Sequence, residues 1–176
     1  GPLTHDAVAR AHERTGALAM MVERLLVLAT PSDAPLGGET VALDELTEDV
    51  IAALPEADRA RVTFERAAGL TLDGDETLLA MLVSNALSNA LKFGTHVQVT
   101  VDARGIEVRD DGPGIAPEDA PHLFAPLYSG AHATREGVAG HGLGLALIAH
   151  VARRHRGTVS LVDTGSGARL RVDFSR

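Results

Sequence analysis

The sequence predicts an α/β protein. It reads as a two-layer sandwich in which a mixed, mostly antiparallel sheet is covered by helices on one face, with a further helix at the N-terminus. Strand-like segments such as "THVQVTVDA" and "GIEVRD" alternate apolar and polar residues and lie close enough to pair as hairpins. Two longer segments, "DGDETLLAMLVSNALSNALKF" and "GLGLALIAHVARRHR", instead repeat apolar residues every three or four positions. A Pro- and Gly-rich stretch, "TPSDAPLGGET", separates the first helix from the rest.

Taken in order, residues 5–29 form the first helix, with Leu18, Met21, Val22, Leu25, Leu28 and Ala29 at helical spacing and Gly16 weakening its middle. Such a helix either packs on its own domain or pairs with another helix, for instance that of a second subunit. The boundary follows, so that residues 3–30, 31–39 and 40–176 read as helix, linker and main domain. "VALDELTEDVIAAL" suggests a short strand and a helix from Asp44, whose carboxylate is expected to cap the first turn; Pro55 ends it. "ARVTFERA" reads as a strand. The long helix precedes two strands joined at Ala103 to Gly105, with Val97, Val99, Val101, Ile106 and Val108 facing one way. Residues 111–140 are irregular and too long for an ordinary connector, which points to a ligand-binding segment. A last helix and the hairpin "GTVSLVDT"–"GARLRVDFSR" complete the chain.

Composition bounds the function. The chain has 176 residues, 45% of them hydrophobic but only 3% aromatic and no Trp, so the core is Leu, Val and Ala. A net charge of -8 argues against a general nucleic-acid or anionic-membrane surface. With no Cys, disulfides and thiolate metal sites are excluded. No apolar run approaches the roughly 18 residues of a membrane span, and the start does not read as a signal peptide.

Three segments carry chemistry. Asn85, Asn89 and Lys92 stand within one stripe of the long helix, displaced by only about 40° and -20° at ~100° per residue. Two amide oxygens on adjacent turns suit a hard cation such as Mg²⁺, and Lys92 supplies a mobile charge for phosphate. A solvated helix face would explain the same residues. Asp110 ends an apolar strand and is followed by Gly112 and Gly114, so that a carboxylate and a close-approaching backbone could meet the amine of adenine. An ordinary Asp-Gly turn is the plainer reading. "GHGLGL" opens a helix with Gly140, Gly142 and Gly144, leaving first-turn N–H groups for an anion. Its spacing fits neither a P-loop nor a Rossmann fingerprint.

Together and in this order, "NALSNALKF", "DDGPG", "HLFAPLY" and "GHGLGL" resemble the N, G1, F and G2 boxes of the ATP-binding catalytic domain of sensor histidine kinases. These belong to the histidine kinase/gyrase-type ATPase superfamily, whose fold is the Bergerat fold. The resemblance implies Asn89 as principal Mg²⁺ ligand with Asn85 assisting at the metal or triphosphate, and Lys92 on phosphate. Asp110 would recognise adenine, supported by Gly112 and Gly114. Phe124 would anchor or hinge a lid of about residues 115–139, and Arg135 would reach the γ-phosphate. Gly140, Gly142 and Gly144 would shape the lid end and the phosphate-facing helix, with His141 and Leu143 completing that box. Tyr128 would touch the ring edge or lid, or simply pack. Asn89, Lys92 and Arg135 are thus the expected catalytic set, with ATP and Mg²⁺ as ligands.

The same resemblance implies phosphoryl transfer from ATP to a histidine on a dimerisation and phosphotransfer domain, then to an aspartate of a response regulator. It implies a cytoplasmic domain, of a kind often carried by membrane-anchored bacterial sensors, and no nucleic-acid partner. The acceptor pattern is incomplete: His5-Asp6 lacks the Pro that follows in the family and lies too near "VERLLVLA". The first helix therefore reads as part of the second helix of the phosphotransfer hairpin. The fragment is expected to bind ATP without phosphorylating itself, and to pair subunits through this helix in the full protein. An anti-sigma-type serine kinase, or a nucleotide-binding interaction domain with lapsed catalysis, are the alternatives.

Overall fold

The computed structural model describes residues 5–128, 130 and 142–174, with the side chains of residues 5–14 and 17 excepted. Contacts divide the chain into two compact units, residues 1–31 and 32–176. The first contains helix α1 (His5–Ala29), on which Leu18, Met20, Val22, Leu25 and Leu26 are exposed.

In the second unit β1 (Glu39–Ala42) leads into α2 (Leu43–Ala52), α3 (Glu56–Arg59), β2 (Val62–Arg66) and β3 (Thr71–Gly74). Next come α4 (Glu76–Phe93), β4 (Val97–Asp102) and β5 (Gly105–Asp110), then a 3₁₀ turn at Ala120–His122, α5 (Gly144–Arg154), β6 (Gly157–Asp163) and β7 (Ala168–Phe174). Five strands form one sheet in the order β2-β4-β5-β7-β6, and β1 and β3 make a separate antiparallel ribbon. Only the β2–β4 pairing of the large sheet is parallel. This is the mixed, mostly antiparallel sheet covered by helices that the patterning predicts.

Period-two alternation decides which sheet face is covered. Val97, Val99, Val101, Ile106, Val108, Leu170, Val172 and Phe174 are buried, whereas Gln98, Arg109 and Arg169 between them are exposed. Leu79, Leu82, Val83, Ala86, Leu87 and Ala90 of α4 and Leu147, Ile148 and Val151 of α5 are the matching helical surface. Each large side chain so buried contributes about 1.5–3 kcal/mol relative to exposure, before conformational entropy is subtracted.

The two helices are fixed end to end. The Asp75 carboxylate caps α4 by accepting from Leu78 N–H at 3.0 Å, while its backbone N–H donates to His155 Nε2 at 3.1 Å. The other ring nitrogen of His155 bonds Val151 O at 2.8 Å. A Cβ at Gly74 would come within 2.4 Å of the His155 ring, so only glycine admits this approach. Joining the start of α4 to the end of α5 places the start of α5 beside the later turns of α4. At ~1.5 Å per residue, Gly144 and Asn89 stand roughly 17 and 21 Å from that tie.

Local expectations need two corrections. Asp44 does not cap α2: the N-cap is Ala42 without any side-chain bond, and Asp44 is buried, with Arg66 Nη1 at 3.2 Å. An arginine on the adjacent strand attracts the carboxylate more strongly than free helix amides. The pattern also missed α3 and β3, elements of four residues each and too short to show a period.

Candidate nucleotide site

A cavity of about 150 Å³ opens between α4, the ends of β5 and β7, and the segment after β5. Ala86, Ala90, Val108, Ile115, Leu145 and Leu170 give it apolar walls. Ala86 and Ala90 face it because both sit one turn apart on the buried side of α4, and their small side chains leave the space open. An apolar cavity of that order accepts a flat ring system.

Asp110, the last residue of β5, brings a carboxylate to this cavity. Its Oδ1 accepts from Gly112 N–H at 2.9 Å and Ala168 N–H at 3.2 Å, while Oδ2 has no partner among the described residues. Burial raises its pKa from the ordinary value, against those two backbone bonds. Glycine is required beside it: a Cβ at Gly112 would lie 2.8 Å from Asp110 Oδ1 and 2.9 Å from Phe93 O. Gly114 has φ +77, and there a Cβ would meet Asp163 Oδ2 at 2.8 Å. Asp111 turns away, accepting from Thr95 N–H and His96 N–H at 2.6 and 2.9 Å. Those bonds hold its carboxyl well below the usual range.

The polar stripe of α4 lies at the other end. Asn85 is buried rather than solvated, donating through Nδ2 to Met81 O at 2.7 Å and leaving Oδ1 directed elsewhere. A Cβ at Gly144 would stand 3.4 Å from Asn85 Oδ1 and 3.2 and 3.3 Å from Asn89 Nδ2 and Oδ1. Both amides therefore meet at the first turn of α5. Leu143, the N-cap, makes no side-chain cap bond, so the first-turn N–H groups remain for an anion. Lys92 is partly buried, which lowers its pKa, and its Nζ lies 5.4 Å from the Phe93 ring centroid. Among the described residues no carboxylate pairs with it.

The structure thus brings Asn85, Asn89 and Gly144 together, with Asp110 and Gly114 at the cavity and Gly112 bonded to Asp110. Leu143 is 1% exposed, so its side chain belongs to the core and only its backbone can contribute. Phe124 does not line the cavity; Leu123 does. Tyr128 donates to Asp119 Oδ1 at 2.7 Å and its ring lies 5.5 Å from that of His122. Arg135, Gly140 and His141 lie outside the described residues. Sequence reasoning missed Asp119, Asp163, Ala168 and Arg61. Arg61 closes the end of α4 by donating to Leu91 O at 2.7 Å and to Gly94 O.

A base-sized apolar cavity ending in a partly desolvated carboxylate, with amides and a helix N-terminus beyond it, defines a nucleotide-binding protein. Residues 74–176 match the family model described as histidine kinase-, DNA gyrase B-, and HSP90-like ATPase, and the chain belongs to that family. Within it the chain matches the catalytic domain of sensor histidine kinases. It is 34% identical to the sensor histidine kinase TrcS of Mycobacterium tuberculosis, over 94% of this chain and 35% of that protein. It is 36% identical to the sensor-like histidine kinase SenX3 of Mycobacterium bovis, over 73% of this chain and 33% of that one. The chain therefore spans about a third of the length of these relatives. Among solved structures the Acinetobacter baumannii histidine kinase AdeS matches the fold with TM-score 0.77 at 20% identity, over 99% of this chain and 86% of that one. No described helix is long and apolar enough to cross a membrane.

Proposed function

We propose that residues 40–176 bind Mg-ATP as the catalytic domain of a two-component sensor histidine kinase, presenting the γ-phosphoryl group to a histidine on a separate dimerisation and phosphotransfer domain. The observation that carries this is the meeting of the Asn85 and Asn89 amides with the first turn of α5, at the far end of α4 from the His155 tie and next to the Asp110 cavity. The residues fit the ligand. Asp110 Oδ2 accepts from an exocyclic amine, which guanine's carbonyl at that position could not satisfy, and the apolar walls take the ring. Asn89, assisted by Asn85, offers oxygen to a hard cation that keeps several waters. A bound magnesium ion would neutralise charge on the phosphates. Lys92, partly desolvated and without a carboxylate partner among the described residues, supplies positive charge, and the α5 amides orient phosphate oxygens without rearranging.

The protein's task is placement, since the attacking imidazole belongs to another domain. Arg135 is assigned to the γ-phosphate, and Gly140, His141 and Gly142 to the lid end, with the lid at about 115–139. Helix α1 is assigned to the second helix of the phosphotransfer hairpin and residues 31–39 to the linker. Its exposed Leu18, Val22, Leu25 and Leu26 suit pairing with a second copy in the full protein. The phosphoryl group would pass onward to a response regulator. The domain is assigned to the cytoplasm, as part of a membrane-anchored sensor.

The test is calorimetric titration of the chain with Mg-ADP and a non-hydrolysable ATP analogue, beside Asp110→Asn. Saturable binding that the folded variant loses is expected. A supplied histidine hairpin should then become labelled from γ-labelled ATP. A well-folded native chain without nucleotide affinity would refute the reading.

A further inference from the structure

The cavity carries a second carboxylate. Asp119 lines it, is 5% exposed, and sits within a run of tight turns: Asp119 N–H donates to Ala116 O at 2.9 Å, and His122 N–H to Asp119 O at 2.9 Å. The Tyr128 hydroxyl donates to Asp119 Oδ1 at 2.7 Å, and a Cβ at Gly130 would come within 2.7 Å of Oδ2. Gly130 itself lines the cavity. One carboxylate thus has the tyrosine on one oxygen and a glycine backbone against the other. Just before Tyr128, Leu127 is left-handed at φ 63 and donates its N–H to Gly142 O at 2.9 Å. Gly142 at φ +64 has no room for a Cβ, which would lie 2.5 Å from Tyr128 O. A non-glycine residue held at positive φ is strained unless its surroundings fix it, and here the Tyr128–Asp119 and Leu127–Gly142 bonds do so on either side.

We propose that Asp119 is a positioning residue of the nucleotide site. It acts through Tyr128 to hold the wall formed by Ile115, Leu123 and Gly130 against the base cavity. This rests on the nucleotide reading above and assigns Asp119 to the base end alone. Loss of the Asp119–Tyr128 bond opens the wall over the ring, while Asn85, Asn89 and the α5 amides, on other elements, keep their hold on phosphate. Burying a carboxylate is tolerable only with donors in place, and Tyr128→Phe removes one such donor without altering the backbone.

The test exploits Tyr128 being the single tyrosine of a chain without tryptophan. Its phenol absorbance and fluorescence therefore report the surroundings of this one side chain. The hydrogen bond to Asp119, with burial, raises the phenol pKa from its ordinary value. Absorbance titration of the native chain should show that raised ionisation, and Asp119→Ala should move it back toward the ordinary value. By calorimetry, Asp119→Ala and Tyr128→Phe should weaken Mg-ADP binding about ten-fold or more, the size of one lost hydrogen bond to a charged group. Asp119→Asn, whose amide oxygen still accepts from Tyr128, should stay within about three-fold. Mg-pyrophosphate should bind all four proteins alike. Native Mg-ADP affinity in both Asp119→Ala and Tyr128→Phe overturns this inference and leaves the nucleotide reading standing. So does a phenol that ionises at the ordinary value, or pyrophosphate affinity falling in step with that for ADP. A native chain that binds no Mg-ADP overturns both readings together.

Discussion

A methyl group added at Gly144 should move stability and nucleotide affinity in opposite directions. Gly144 opens α5 with ordinary helical backbone, so alanine gains helix propensity: about 1 kcal/mol in a helix interior, and a fraction of that in a first turn. The methyl would stand 3.2 Å from Asn89 Nδ2, 3.3 Å from Asn89 Oδ1 and 3.4 Å from Asn85 Oδ1. These contacts are tight, but they are made to side-chain ends that can yield by a few tenths of an ångström. The net effect on folding is therefore zero to about 0.7 kcal/mol in favour, or roughly 0–3 °C in thermal midpoint for a chain of this size. Binding behaves differently. The methyl fills the point where both amides face the helix N-terminus, so a phosphate held there loses a charge-assisted hydrogen bond of about 1.5–3 kcal/mol. That corresponds to roughly 10- to 150-fold weaker binding of Mg-ADP. Scanning calorimetry beside isothermal titration separates the two effects. Unchanged affinity would refute the placement of phosphate between α4 and α5. A midpoint falling along with affinity would show that the methyl had damaged helix packing instead.

Other perturbations test neighbouring parts. Asp110→Asn keeps an oxygen for Gly112 and Ala168 N–H, so the fold should be at least as stable at pH 7 while nucleotide affinity falls. The native carboxyl's raised pKa means that it favours folding more at low pH, and this is lost as pH rises above about 3.8; urea midpoints at pH 4 and 7 should show the variant without that trend. Burial lowers the pKa of His155, and protonating Nε2 would remove the acceptor for Asp75 N–H. Its contribution is complete above about pH 6.5 and declines as pH falls through the lowered native value; His155→Gln should flatten stability between pH 8 and 5.5, with residual slope from His150, lowered likewise. Arg109 and Arg169 are register partners on the exposed sheet face, and neither has a salt bridge among the described residues. Like charges directly opposite cost about 0.2–1 kcal/mol, so Arg169→Thr should raise the thermal midpoint by roughly 1–3 °C at low salt and less in about 1 M salt.

The fold was legible because its long elements carry unbroken periods. The alternation of Val97, Val99 and Val101 against Ile106 and Val108 specified a hairpin, and the register pairs Val99 with Val108. The α4 stripe was legible for the same reason: a helix converts spacing directly into direction, so Asn85 and Asn89 had to share a side. Spacing could not show that this side is buried, since that depends on α5 lying across it. Asp44 shows the opposite failure. Local rules offered its carboxylate a helix N-terminus, but Arg66, distant in sequence, took it.

Three of the residues overlooked at the site, Arg61, Asp163 and Ala168, share one property: each acts on a partner far along the chain. Asp163, at the end of β6, accepts from Ile115 N–H at 3.1 Å and Gly165 N–H at 2.6 Å, and its Oδ2 occupies the space beside Gly114. A hairpin more than forty residues downstream therefore fixes the glycine loop after Asp110, and Ala168 N–H from the same hairpin fixes the Asp110 carboxylate itself. Nothing in "DDGPG" implies this dependence. Its consequence is physical: the base end of the site is assembled by β6–β7 and the Asp119 turn, whereas the phosphate end is assembled by two packed helices joined through His155. Damage to the hairpin should accordingly weaken recognition of the base before it weakens hold on phosphate, and damage to the His155 tie should do the reverse.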